Sequence, residues 1–391
     1  MSDQDIQYPI YLDYQSTTPV DPRVIEVIQP YFSELFGNAA SKSHQHGHDA
    51  LAGVEKARKQ IAKAINAKPQ EIVFTSGATE AINLAIKGMA LSGRTKGNHY
   101  ITVATEHKAV LDCFDWLKRN GFETTILPVD SEGMLTVEDV VAAIRPETAM
   151  VAVMAANNEI GVLQPIHGIG QACRERGVHF FTDATQALGK IPLDVQAGQI
   201  DLLCGSGHKV YGPKGVGMLY VRRSNPRVHL EPLIHGGGHE GGLRSGTLAT
   251  PLIVGFGEAV ELSCKGMRKE AARLKELTQQ MLAQLQGGIP SLKLNGHPLN
   301  RLPGNLNVSL GGVNAEAIVA GLSDRVSLST GSACTSKEIL PSHVLKALEI
   351  DDTKLVSSLR ISLGRQTQTR ETIDAVSLIK GSVLRLEELA F

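Results

Sequence analysis

The chain of 391 residues carries 39 lysines and arginines against 40 aspartates and glutamates, a formal charge of −1, with 42% hydrophobic and 20% charged side chains. Its length suggests two or three domains with sizeable cores, and its balanced charge excludes the electrostatic footprint of a nucleic-acid or anionic-membrane binder. No apolar run reaches transmembrane length, the polar start MSDQDIQYP lacks a signal-peptide pattern, and five cysteines without a CxxC pair argue against a disulfide framework, so a cytoplasmic protein is expected.

In chain order, the first informative segment is EIVFTSGATEAINLAIKG, residues 71 to 88, which reads as strand, glycine turn and helix. Ile72 to Thr75 is the strand, and Gly77, Ala78 and Thr79 open a helix whose free backbone N–H groups and positive dipole end suit a phosphate. The segment lacks the lysine of a Walker loop and the spacing of a dinucleotide fingerprint, and it would serve equally as a plain helix start. Further strands are expected at His99 to Thr102, Glu123 to Val129 and Ala149 to Met154, each alternating with helical stretches. Val178 to Thr182 is another, closed by Asp183 with Gln186 three residues on. An aspartate ending a buried strand needs a cationic partner. A protonated pyridine nitrogen is such a partner, which brings pyridoxal phosphate into view, with Gln186 placed to meet the ring hydroxyl; capping the next helix is the alternative for Asp183.

Leu202 to Ser206 follows, and SGHKVYGPKG, residues 206 to 215, places Lys209 just beyond the end of that apolar run. Ligands of parallel-sheet proteins gather at such strand ends, and a lysine drawn out of bulk water yields a neutral amine able to attack an aldehyde. A solvated loop lysine is the alternative, and the company of Asp183 and the phosphate turn, with Ser206 and His208 as further donors, argues against it. Met218 to Val221 completes an alternation from about 16 to 260 that predicts a mostly parallel sheet covered by helices. From about 261 the character changes to a long amphipathic helix, KGMRKEAARLKELTQQMLAQLQGG, then shorter strands at Asn305 to Ser309 and Arg360 to Leu363. We therefore expect a large domain over 16–260 and a smaller α+β domain over 261–391 joined by residues 1–15. Cys113, Cys173 and Cys264 fall in helical stretches and Cys204 in a buried strand, whereas Cys334 sits in LSTGSACTSKEILPS among small residues that leave a thiol accessible.

YLDYQSTTP (11–19), FTSGATE (74–80), TEHKAV (105–110), NNEIG (157–161), DATQ (183–186), SGHKVYGPKG, HGGGHEGGLRSGT (235–247), STGSACTS and RISLGR (360–365) follow one another over nearly the whole chain. In that order they resemble the pyridoxal-phosphate-dependent cysteine desulfurases of the NifS/IscS type, group I. The resemblance implies a fold-type I α/β architecture, with a mostly parallel seven-stranded sheet in the large domain. It implies pyridoxal 5'-phosphate held by Lys209, with Asp183 on the ring nitrogen and Gln186 on the phenolic oxygen. Ala78, Thr79, Ser206 and His208 would bind the phosphate, Thr247 that of the partner subunit in a homodimer, and His107 would stack on the ring and move protons. Arg360, assisted by Asn158 and with Asn38 nearby, would hold the substrate carboxylate through a forked pair of hydrogen bonds.

The activity so implied is sulfur transfer. L-Cysteine displaces Lys209 from the cofactor aldehyde, the freed amine removes the α-proton, and the Cys334 thiolate attacks the substrate sulfur, giving L-alanine and a persulfide. The sulfur would pass to an acceptor such as an iron–sulfur scaffold; no resident metal ion is expected, Cys334 being left as a transient cluster ligand. Three departures stand out. Ala39 replaces the usual proline after Asn38, which leaves that loop less rigid, Gly241 replaces a basic residue, and the sequence stops at LRLEELAF where many members continue into a scaffold-docking tail. Two other readings are kept: a selenocysteine or other C–S lyase on the same fold, and a metal-binding or sulfur-carrying module. The latter would use His44, His46 and His48, which are expected in a solvated loop or an extended segment, or His235 and His239.

Overall fold

The structure, a computed structural model, describes residues 6, 8–330, 342–350 and 355–389. Cys334 lies outside the described residues. Thirteen strands are described: β1 (Ile10–Tyr11), β2 (Ile72–Thr75), β3 (His99–Val103), β4 (Glu123–Leu127), β5 (Thr148–Ala152), β6 (His179–Asp183), β7 (Leu202–Ser206), β8 (Gly217–Val221), β9 (Leu292–Leu294), β10 (Asn305–Leu310), β11 (Val326–Ser327), β12 (Ser329–Thr330) and β13 (Ser358–Ser362).

Seven of them form one sheet in the order β2-β8-β7-β6-β5-β3-β4, in which only β8 runs against its neighbours. Strands β3, β5, β7 and β8 are buried at every residue, because helices cover both faces and no position can alternate toward water. The edge strand β4 departs from this and exposes Glu123 and Ile126. Helix Lys108–Arg119 covers one face with Val110, Cys113, Phe114 and Leu117, a 3–4 spacing that places all four on one stripe. Register then aligns the chemistry. Asp183 ends β6 opposite Cys204, while Ser206 and Thr75 both pair with Gly217 at the start of β8. The carboxyl ends of β2, β6 and β7 therefore open on one side of the sheet.

A second core lies around the antiparallel sheet β12-β13-β10-β9, with Leu306, Val308, Leu359 and Ile361 at its centre. The amino-terminal residues join it. Strand β1 pairs in parallel with β11, Asp13 bridges to Ser362, and Ile10 and Leu12 are fully buried there. The long amphipathic helix expected to begin near 261 instead begins earlier and spans Thr250–Gly288, about 58 Å at 1.5 Å per residue. Its first half (Ile253, Phe256, Ala259, Val260) is apolar because it packs into the large-sheet core, while Leu274, Leu277, Met281 and Leu285 enter the second core. Amphipathic periodicity marks only the half that meets water, so the sequence shows that half alone as a helix of this kind.

Candidate active site

The strand ends, the N-terminal segment and β13 enclose one cavity of about 760 Å³. Ala78, Thr79, His107, Asn158, Asp183, Gln186, Ser206, His208, Lys209 and Arg360 all line it. Asn38 and Thr247 do not, and both are exposed. Asn38 caps its own turn through Oδ1, which accepts from the Ala40 N–H at 2.9 Å. Thr247 follows Arg244, which is ion-paired at 2.8 Å to Glu80 in the first turn of helix Ala78–Leu91, so the segment is fixed beside the phosphate turn while Thr247 faces outward.

The phosphate turn has the geometry of an anion site. Helix Ala78–Leu91 begins at Gly77 without a side-chain cap, and no described residue accepts from the Ala78 or Thr79 N–H. The tightness of the turn sets the residue beside it, since a Cβ on Gly217 would lie 2.5 Å from the Gly77 carbonyl carbon. Ser206 and His208 add donors from the end of β7, and Lys214 supplies charge. Burial, then the positive Lys209, Lys214 and Lys190, pull the His208 imidazole down to about 4. A phosphate would reverse that sign.

Asp183 is 5% exposed. Its Oδ1 accepts from the Thr185 N–H at 2.9 Å and from the Cys204 thiol at 3.2 Å, while Oδ2 has no hydrogen-bond partner among the described residues. A buried carboxylate with one unengaged oxygen on a cavity is suited to a cation there. Glu106 shows the contrast: burial first, and then the Asp183 charge, push its carboxyl well above the usual range.

Lys209 Nζ donates to the carbonyl oxygens of Gln15 and Ser16 at 2.6 and 2.7 Å, two bonds that a neutral amine can still make with its two N–H groups. Gln186 shares the first acceptor, its Nε2 donating to Gln15 O at 2.9 Å, and its Oε1 accepts from Lys190 at 3.0 Å. Burial and the neighbouring Lys209 pull the Lys190 amine down to about 7. Gln186 is thus held in place on the cavity wall from both ends of its amide. His107 caps helix Lys108–Arg119, Nδ1 accepting from the Ala109 N–H at 3.1 Å, so in its neutral form the ring carries its proton on Nε2. Burial above all, with Lys209 adding to it, lowers its pKa and favours that neutral form.

Arg360, 4% exposed, reaches the cavity from β13. Its Nη2 donates to Asp13 at 2.9 Å and to Ser16 Oγ at 2.6 Å, its Nη1 to the Asn158 carbonyl at 3.0 Å, and its buried Nε is unpartnered. Asn158 Oδ1 and Gln15 Nε2 are likewise buried without partners. Three orphaned polar atoms among residues of one cavity wall suit a polar ligand such as a carboxylate or ammonium group. The sequence motifs contained Gln15, Ser16 and Glu159 without assigning them a role. They also passed over His343 and Lys346, which line the cavity from helix His343–Ala347. The Ser342 cap ahead of that helix was the only local signal for them.

The remaining features are structural. Cys113, Cys173 and Cys264 lie in helices and Cys204 in β7, and burial pushes the first two thiols up to about 11 and about 12 and raises the other two. None of the four is a ready thiolate. Of the histidines at 44, 46 and 48, only His44 lies in the expected extended or loop conformation, as the residue before helix Gln45–Ala64; His46 and His48 are in the helix. His44 caps helix Gln45–Ala64 and accepts from the Gly47 N–H, His46 stacks on Phe36, and His48 bonds the Lys42 carbonyl. Among the described residues no cluster of three histidine, cysteine or acidic side chains is placed to hold a metal ion. His235 is exposed, and His239 accepts from the Gly246 N–H at 3.3 Å. At Gly241 (φ +65°) a guanidinium is present after all, because a Cβ there would meet Arg223 Nη2 at 3.3 Å. Ala39 is buried.

The class-V aminotransferase family profile matches residues 10–376. A cysteine desulfurase IscS of a Neisseria meningitidis serogroup C strain is 52% identical over 385 residues, covering 98% of this chain and 95% of that protein. A mitochondrial cysteine desulfurase of Arthroderma benhamiae is 50% identical over 98% of this chain and 76% of its own length. Among solved structures, a NifS-like protein superposes with a TM-score of 0.90 at 33% identity over 97% of this chain and all of its own. SspA in complex with cysteine does so with a TM-score of 0.80 at 39% identity, over 90% and 98%.

Proposed function

The chain belongs to the class-V aminotransferase family, among its cysteine desulfurases, and on that premise we propose that it converts L-cysteine to L-alanine and passes the sulfur to a protein cysteine as a persulfide. The observation that carries this reading is the meeting, around one cavity, of a strand-end lysine, a half-engaged buried aspartate, an uncapped helix terminus and a buried arginine.

Those residues fit pyridoxal 5'-phosphate. The phosphate would lie on the Ala78 and Thr79 N–H groups with Ser206 and His208, the ring nitrogen on Asp183 Oδ2, the phenolic oxygen beside Gln186, and the aldehyde at Lys209. His107 is the candidate for the ring face. When bound, the cofactor supplies an electron sink for the substrate carbon, which the Asp183 carboxylate maintains by keeping the ring nitrogen protonated.

The chain's own residues do the rest. Arg360 Nε and its flanking N–H groups, with Asn158 beside them, bind and orient the L-cysteine carboxylate. The Lys209 amine, aimed by the Gln15 and Ser16 carbonyls, takes the α-proton once it is released from the cofactor. His107 presents an Nε2–H that lends a proton from the ring side. Cys334 receives the sulfur. Both residues that bracket segment 331–341, Thr330 and Ser342, line the cavity, and the four other cysteines are held as thiols, which supports this assignment.

A homodimer, with Thr247 donated across the interface, is part of the proposal and is supported by the outward-facing Thr247 beside the phosphate turn. So are an iron–sulfur scaffold as acceptor, a cytoplasmic location and a division into residues 16–260 and 1–15 with 261–391, the last supported by the two separate cores. Among the described residues no helix is long and apolar enough to cross a membrane. The test is mass spectrometry after one turnover with L-cysteine. One extra sulfur is expected on the Cys334 peptide, and Cys334→Ala should abolish both the label and alanine release. A variant that still releases alanine and sulfide at the wild-type rate would show a lyase that needs no protein thiol.

A further inference from the structure

Three imidazoles line the cavity: His208 lies beside the phosphate turn with Nδ1 3.1 Å from the Thr17 hydroxyl, and the hydrogen bonds of the other two, His107 and His343, fix opposite tautomers. His107 accepts at Nδ1 from a backbone N–H and therefore offers a donor at Nε2. His343 does the reverse. Its Nε2 lies 2.8 Å from the Glu106 carbonyl oxygen, a group with no hydrogen to give, so the proton of the neutral ring resides on Nε2 and the lone pair on Nδ1. No described residue donates to that Nδ1.

The ring is held on a fixed element. Ser342 caps the helix, accepting from the Leu345 N–H at 3.2 Å and donating to the Glu159 carboxylate, while Val344 and Leu345 are buried. The groups facing His343 come from every neighbouring element: Glu106 and His107 from the turn after β3, Glu159 from the turn after β5, Arg360 from β13 and Lys346 from its own helix. Burial raises the pKa of both glutamates, and the two cations favour an anion formed among them.

Resting on the desulfurase reading, we infer that His343 Nδ1 is the base that takes the thiol proton of bound L-cysteine. With the carboxylate on Arg360 and the amino group directed to Lys209, the substrate's third arm is its CH2–SH group, and His107, His343 and Lys346 are among the residues that line the cavity around it. Of His107 and His343, only His343 has its remaining ring lone pair unengaged among the described residues, and His208 is taken up at the phosphate turn. The S–H bond breaks and an N–H bond forms at Nδ1, leaving imidazolium beside a thiolate; no electrons change hands and no further reactant is needed.

The test uses His343→Gln, whose side-chain amide can still donate to the Glu106 carbonyl. Turnover of L-cysteine by the holoenzyme should fall about 100-fold, the usual contribution of a positioned base, with the acid limb of its pH profile lost. Exchange of the α-hydrogen of L-alanine in heavy water, which needs Lys209 but no thiol base, should stay within twofold of wild type. In the cofactor-free chain, nitrogen-15 NMR should show the His343 proton on Nε2. An unchanged cysteine rate, an equal loss of alanine exchange or an Nδ1–H tautomer would each overturn the assignment. Failure of the desulfurase reading shows separately, as a wild-type chain that forms no alanine from cysteine, and would remove both.

Discussion

The two walls of the cavity are built in different ways. The large-sheet wall consists of strand ends: Asp183 closes β6, Ser206 closes β7 with Lys209 three residues on, and the phosphate turn follows β2, so each functional group is placed by the short segment it belongs to. The facing wall is assembled from distant pieces. Arg360 meets Asp13 and Ser16 across 347 and 344 residues of chain, and His343 meets Glu106 across 237. The first wall fits the charged ends of a cofactor, and the second fits the arms of a substrate. A cofactor site can thus be written in local strand-to-loop chemistry, whereas the substrate site requires the two cores to meet.

If that division is right, substitutions on the two walls separate by observable. The largest effect is expected from Lys209→Ala on the sheet wall. Alanine formation should fall by about 10³-fold or more, and borohydride should no longer fix the cofactor to the chain, measured by absorbance after gel filtration. Should Lys209→Ala still be labelled elsewhere by borohydride, the anchor has been misassigned. Next is Arg360→Lys, which keeps the charge but loses the planar fork. It should raise KM for L-cysteine by on the order of 10- to 100-fold, as for loss of a charge-assisted bond of about 1.5–3 kcal/mol, with cofactor affinity unchanged. A fall in cofactor affinity instead would merge the two walls.

The smallest effect concerns His208. Its folded value, about 4, lies below the ordinary histidine value of about 6.5, so between the two the unfolded chain binds a proton that the folded chain refuses. Stability of the cofactor-free chain should therefore fall as pH drops through that window, and His208→Gln should flatten the fall in urea-denaturation midpoints. Because His208 is only partly buried, solvent screening keeps the change modest. An unchanged pH dependence in the variant would assign the loss to other groups.

The contrast also explains what was legible. Asp183, Lys209 and the Gly77 turn could be read because a buried apolar run ending in a polar residue marks a strand end wherever that run is placed. His46 and His48 were misread as part of a loop or extended segment. Their helix begins at Gln45, and the QHGHDALAGV stretch opens with polar residues that hide this start. The start of helix Thr250–Gly288 was lost for the opposite reason, its first turns being too apolar to show a water-facing stripe.

The amino-acid sequence by itself determined the alternating strand and helix order, the strand-end groups and the ordered set of motifs, because these depend on near neighbours in the chain. Only the tertiary structure decided which carbonyls aim Lys209, how Gln186 and Arg360 are held, and which nitrogen of His107 and of His343 carries its proton. Those properties depend on hydrogen-bond partners from remote segments, and such a partner has an identity only after the two cores have packed together.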